Sequence, residues 1–124
     1  MTTDAKYVYS HSILTAQIAA LRNACSAAHI CPRYAMKANH NAEIMRVIKD
    51  HGIDIDASST AEAEHAMSLG IAAERIQITS QQRDGERTVA AVQAGCRFVA
   101  CSLHQLEKYC AAFPGSSVGV RINP

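Results

Sequence analysis

The sequence predicts an α/β fold built on a parallel sheet, and three observations carry that prediction. Short apolar runs alternate with helical patterns, the runs recur at near-constant spacing, and glycines stand just past three of the helices. The runs begin at residues 34, 53, 76, 97 and 118, which lie 19, 23, 21 and 21 residues apart. That period is the size of a compact strand–helix unit. Strands alternating with helices at this period pair in parallel, each crossing back over its helix.

Taken in order, a short Tyr7-Val8-Tyr9 stretch precedes an Ala-rich helical pattern over 12–28, with Ile13, Leu14, Ile18 and Leu21 in its apolar stripe. Five strands are then expected over 34–38, 53–57, 76–79, 97–101 and 118–122, with helices between them at about 42–51, 61–69, 83–94 and 103–113. Gly52, Gly70 and Gly95 fall where a left-handed helix cap favours glycine. Ser59-Thr-Ala-Glu62 and Ser102-Leu-His-Gln105 open two helices with the spacing of a capping box. Capping of free backbone N–H groups is enough to explain those four residues.

The 124 residues are 48% hydrophobic, 19% charged and 5% aromatic, with a formal net charge of +1. That length is one ordinary domain, and no linker, low-complexity tract or charge block divides it. The near-neutral balance offers no basic field for nucleic acid and no cationic face for lipid. No apolar run approaches the roughly 20 residues of a membrane helix, and Met-Thr-Thr-Asp-Ala-Lys lacks the order of a signal peptide. A cytoplasmic protein without nucleic-acid or membrane partners is expected. Five cysteines (Cys25, Cys31, Cys96, Cys101, Cys110) with no Cys-x-x-Cys spacing make a poor disulfide or zinc framework, and most are expected to be small core residues. The six histidines form no i, i+4 pair, so no metal site is expected.

In a parallel sheet covered on both faces, strands read apolar on both phases unless one phase carries a site. Here one phase is polar. Ala35, Lys37 and Asn39 oppose Tyr34, Met36 and Ala38; Asp54 and Asp56 oppose Ile53 and Ile55; Gly119, Arg121 and Asn123 oppose Val118, Val120 and Ile122. Lys37, Asp56 and Arg121 are thus expected near the C-terminal ends of strands, where α/β folds bind ligands. A lysine desolvated among Ala and Met has a lowered pKa and a free amine to attack a carbonyl. A carboxylate offsets an iminium charge, and an arginine holds an anionic oxygen. A strand-end lysine snorkelling into water fits the same spacing, and an inward Asp–Arg pair fits structural ion pairing. The chain carries no G-x-S-x-G, no P-loop and no G-x-G-x-x-G.

Tyr34-Ala-Met-Lys-Ala-Asn39 resembles the Y-A-x-K-A-N motif of the fold-type III pyridoxal-phosphate decarboxylases, whose motif lysine carries the cofactor as a Schiff base. The resemblance continues through Asp56-Ala-Ser-Ser59-x-x-Glu62, Gly70-Ile-x-x-Glu74-Arg75-Ile76 and Cys101-Ser102-Leu-x-Gln105-Leu106-Glu107 to Val120-Arg121-Ile-Asn-Pro124. Lys6-Tyr-Val-Tyr9 resembles the family's opening T-P-x-Y-V-Y, with Ala5-Lys6 departing from it. Within the family, "YAMKAN", "ERIQITSQ" and "VRINP" are most similar to the diaminopimelate decarboxylases. Ornithine, arginine and carboxynorspermidine decarboxylases share the scaffold.

The resemblance implies a TIM-type (β/α)₈ barrel of parallel units, truncated here after about five strands. Residues 1–124 are then the N-terminal part of the alanine-racemase-like cofactor-binding barrel, with no second domain. It implies pyridoxal 5'-phosphate as cofactor, Lys37 as its lysine, and Asp56 and Arg121 on the same cofactor face. It implies a small amino-acid substrate, with meso-diaminopimelate converted to L-lysine and carbon dioxide, and a homodimer in the full-length protein. The ring-stacking histidine, glycine-rich phosphate loop, acidic partner of the pyridine nitrogen, and C-terminal cysteine and tyrosine of the family are not matched. The 124-residue chain alone is therefore expected to be inactive and to associate through the edges of its half barrel. Racemization on the same cofactor is a second reading, and a flavodoxin-like binding module a third, from another class.

Overall fold

A computed structural model describes residues 5–82 and 85–123. The targeting-signal reading of residues 1–4, the first two residues of the expected helix 83–94, and Pro124 of the last motif lie outside them. The chain divides into two compact units, Met1–Pro32 and Arg33–Pro124.

The first unit holds α1, His11–Ala27, whose N-cap Ser10 accepts from the Ile13 N–H. Its end is a left-handed turn in which His29, at φ 54°, occupies the place glycine usually takes. The His29 and Ile30 N–H groups donate to the carbonyls of Ser26 and Cys25.

The second unit is a five-stranded parallel sheet in the order β1-β2-β3-β4-β5. Its strands are β1 (Arg33–Ala35), β2 (Asp54–Ala57), β3 (Ile76–Ile78), β4 (Arg97–Ala100) and β5 (Gly119–Val120). Between them run α2 (Ala42–Asp50), α3 (Thr60–Ser68), α4 (Gly85–Gln93) and α5 (Leu103–Ala112). Sequential order decides between barrel and flavodoxin readings. A flavodoxin-like sheet reverses direction at a switch point, whereas strands laid down in chain order with crossovers of one hand put their helices on one face. The flavodoxin-like module is therefore set aside, and the sheet is the wall of a (β/α) barrel.

Register sorts the strand residues into the two expected phases. Ile55, Ala57, Ile76, Ile78, Phe98 and Ala100 are buried, with α3 touching β2 and β3 and α5 touching β4. Ala63, Ala66 and Ala91 bring α3 and α4 close to that layer. The opposite phase is Asp54 and Asp56 on β2 and Gln77 on β3, all half-buried, with Asp56 paired to Ala35 on one side and Gln77 on the other.

Each of α2, α3 and α4 ends in the same double-bonded turn. Gly52, Gly70 and Gly95 have positive φ, and the residue after each, Ile53, Ile71 or Cys96, is buried. Its N–H returns to the carbonyl of Ile48, Ala66 or Ala91, closing the helix and aiming the chain at the next strand.

Two expectations need correcting. The first strand stops at Ala35, and Met36–Ala38 form a single 3₁₀ turn. The Tyr34 hydroxyl donates to the Asn39 carbonyl at 3.0 Å. Five steps of extended chain would carry those residues about 17 Å apart, so the chain must curl to close that bond. Cysteines are also less buried than expected. Only Cys96 is core, where burial pushes its thiol pKa up and Glu74 adds to the effect. Cys25 and Cys101 are half-buried, and Cys31 and Cys110 are exposed. No helix among the described residues is long and apolar enough to cross a membrane.

Candidate functional site

Lys37 follows β1 within the curl that Tyr34 closes. Met36 before it is fully buried and anchors the turn. Asn39 after it accepts the Asn41 N–H on its side-chain oxygen at 2.9 Å, and Asn41 in turn caps α2 through the Glu43 N–H. The lysine is thus fixed from both sides at the C-terminal end of a strand, yet it is itself exposed. The desolvation expected from a strand position is absent, because a 3₁₀ turn does not carry the alternation of a strand. Among the described residues Lys37 makes no ion pair, whereas the Lys49 amine is turned to the Leu69 carbonyl.

Asp56 lies on the neighbouring strand, paired through Ala35 with the segment that leads to Lys37. Its carboxylate accepts the Thr79 hydroxyl at 2.8 Å, and Gln77 donates to that hydroxyl at 3.3 Å. Thr79 was not singled out by the sequence, although it stands two residues beyond Gln77 on the polar phase. Arg121 follows β5, exposed, with its N–H on the Ala100 carbonyl. Three strand spacings separate β2 from β5, about 14 Å along the sheet, so the structural Asp56–Arg121 ion pair does not form. The turn that carries Lys37 therefore follows the strand next to that of Asp56, and Arg121, after β5, lies across the sheet from both.

Asp54, two residues before Asp56 on the same phase, plays a different part. Arg75 donates to its carboxylate at 3.3 Å, to the Ile53 carbonyl at 2.9 Å and to the Lys49 carbonyl at 3.4 Å. This fork locks the end of α2 to the starts of β2 and β3.

Both capping serines act as expected, Ser59 on the Glu62 N–H and Ser102 on the Gln105 N–H. The reciprocal arms reach one residue further back than a capping box does. Glu62 accepts from the Ser58 N–H and Gln105 from the Cys101 N–H, both at 2.7 Å. A cleft of about 690 Å³ between α4 and α5, lined by Val89, Phe98, Tyr109 and Phe113 among others, does not include Lys37, Asp56 or Arg121.

An exposed amine in the turn after β1, next to the strand whose polar phase carries the hydrogen-bonded Asp56 carboxylate, fits an aldehyde cofactor. Residues 12–124 match the family described as pyridoxal-dependent decarboxylase, pyridoxal binding domain. The chain belongs to that family, whose cofactor is pyridoxal phosphate. It is similar to the diaminopimelate decarboxylase of Streptomyces coelicolor, 31% identical over 122 residues that cover 95% of this chain and 27% of the relative. The diaminopimelate decarboxylase of Methanothermobacter thermautotrophicus is 33% identical over 92 residues, covering 73% of this chain and 22% of its own. Among solved structures, lysine/ornithine decarboxylase of Vibrio vulnificus complexed with putrescine superposes with a TM-score of 0.77 at 27% identity, over 90% of this chain and 30% of that one. The chain thus spans about a quarter of the length of these curated relatives.

Proposed function

We propose that the chain is the N-terminal part of the cofactor-binding barrel of a diaminopimelate decarboxylase, with Lys37 as the residue that holds pyridoxal phosphate. The observation that carries this reading is the closed Tyr34–Asn39 turn, which presents an uncommitted amine at a strand end. The curated relatives named above support the substrate, a small amino acid with two amino groups. The likeness to a lysine/ornithine decarboxylase supports the alternative that the whole protein acts on one of those amino acids instead.

Bound pyridoxal phosphate supplies an electron sink for the pair left behind when a carboxylate departs as carbon dioxide. Lys37 tethers, and the buried Met36 keeps its backbone from shifting. Asp56, oriented by Thr79, sets negative charge on the strand beside the lysine, and Arg121 offers a guanidinium for an anionic oxygen. The remaining groups, including a proton donor and a second subunit in a cytoplasmic homodimer, belong to the whole protein.

The test is carbon dioxide release by the full-length protein offered meso-diaminopimelate, L-lysine, L-ornithine and L-arginine in turn. The expected result is turnover of meso-diaminopimelate above the others, abolished in Lys37→Ala. A Lys37→Ala protein that keeps its activity contradicts the assignment, and preference for ornithine or lysine selects the alternative substrate.

A further inference from the structure

We infer that Gln105 is a positioning residue that holds the end of β3, and with it the Thr79–Asp56 pair, in place from the neighbouring corner. This deepens the cofactor-site reading above and rests on it for its functional half.

The Gln105 amide makes three hydrogen bonds, one accepted by its oxygen and one donated from each N–H. Its oxygen accepts the Cys101 N–H at 2.7 Å, at the end of β4. Its nitrogen donates to the Ser80 carbonyl at 2.8 Å and to the Gln82 carbonyl at 3.0 Å, in the loop that leaves β3. Ser80 is buried and directly follows Thr79, the residue whose hydroxyl meets Asp56. Its own hydroxyl accepts the Gln82 N–H at 3.0 Å, so the loop folds back on the segment that Gln105 grips. Cys101 in turn adjoins Ala100, whose carbonyl takes the Arg121 N–H. One side chain on α5 therefore ties the strand end beside Arg121 to the strand end that orients Asp56.

The equivalent corner one repeat pair earlier shows that capping does not require this. Glu62 stands at the same place after β2, and its carboxylate accepts the Ser58 N–H at the same 2.7 Å. A carboxylate has no N–H, so it cannot donate to the carbonyls of a neighbouring loop. Capping is satisfied by either residue; the bridge to the β3 loop needs the amide.

That difference defines the experiment. Gln105→Glu keeps the acceptor for the Cys101 N–H and loses both donors, while Gln105→Ala loses everything. Amide exchange of the full chain is followed over residues 80–82 and over the first turn of α5, together with the apparent affinity for pyridoxal phosphate read from the absorbance of the lysine-bound form. In Gln105→Glu, exchange over 80–82 should rise by about tenfold or more, with α5 protected as in the parent and cofactor affinity weakened several-fold. In Gln105→Ala both segments should exchange faster. Unchanged protection of 80–82 in Gln105→Glu overturns the bridge. Faster exchange with unchanged cofactor affinity overturns the positioning role and leaves a structural one. A parent chain that takes up no pyridoxal phosphate counts against the cofactor reading itself, and the exchange comparison still decides whether Gln105 holds the loop.

Discussion

The two rims of the one sheet are built on opposite terms. Where the strands begin, side chains close on the protein. Arg75 spends its guanidinium on Asp54 and two backbone carbonyls, and three glycine turns bury Ile53, Ile71 and Cys96 beneath them. Where the strands end, Lys37 and Arg121 are exposed, and Asp56 and Cys101 are half-buried. Two aspartates two residues apart on one strand make the contrast plain. Asp54 is clamped by the Arg75 guanidinium, whereas Asp56 accepts the neutral Thr79 hydroxyl. In barrel folds the first rim serves stability and the second carries chemistry.

That contrast breaks first under substitution in the shared core. Ile76, fully buried beneath the helices, should cost about 3 kcal/mol as Ile76→Ala, read as a shift in the urea midpoint at constant slope. Arg75→Ala should follow at about 2 kcal/mol, since it removes the hydrogen bonds to the Asp54 carboxylate and the Ile53 carbonyl. Lys37→Ala and Arg121→Ala on the opposite rim should stay within about 0.5 kcal/mol of the parent. Equal losses on both rims would erase the distinction. Gly70→Ala should cost about 1 kcal/mol from its φ of +77° alone, because an added Cβ would sit 3.7 Å from the Lys49 amine, an ordinary contact.

The smallest effect concerns pH. Glu64, exposed on α3, is held below the ordinary carboxylate value by its hydrogen bond from Arg87 of α4. A depressed acid stabilises the fold above its unfolded pKa, about 4.3, and that contribution fades as pH falls through the lower folded value. Glu64→Gln should therefore slightly lower stability at neutral pH, leave it unchanged below the folded pKa, and so flatten the acid side of the stability profile.

Much of this was legible in the residues. The near-constant period marked all five strands, and the alternation of Asp54 and Asp56 with Ile55 and Ala57 marked the polar phase. Glycine revealed the ends of α2, α3 and α4 but not that of α1, because His29 adopts the left-handed conformation in its place. The curl around Lys37 was hidden because Met36, Lys37 and Ala38 suit a strand as well as a turn, and the bond that decides runs from Tyr34 to the Asn39 backbone. The different fates of Asp54 and Asp56 were hidden for a similar reason: their partners, Arg75 and Thr79, lie more than twenty residues away.

The most direct test of the open rim is where the cofactor attaches. The chain has four lysines, Lys6, Lys37, Lys49 and Lys108, and only Lys37 stands at the C-terminal end of a strand. The protein is incubated with limiting pyridoxal phosphate, reduced with borohydride and digested, and the labelled peptide is mapped. The account predicts the label on Lys37, with Lys49 and Lys108 at background. A label concentrated on Lys49 or Lys108 would contradict it.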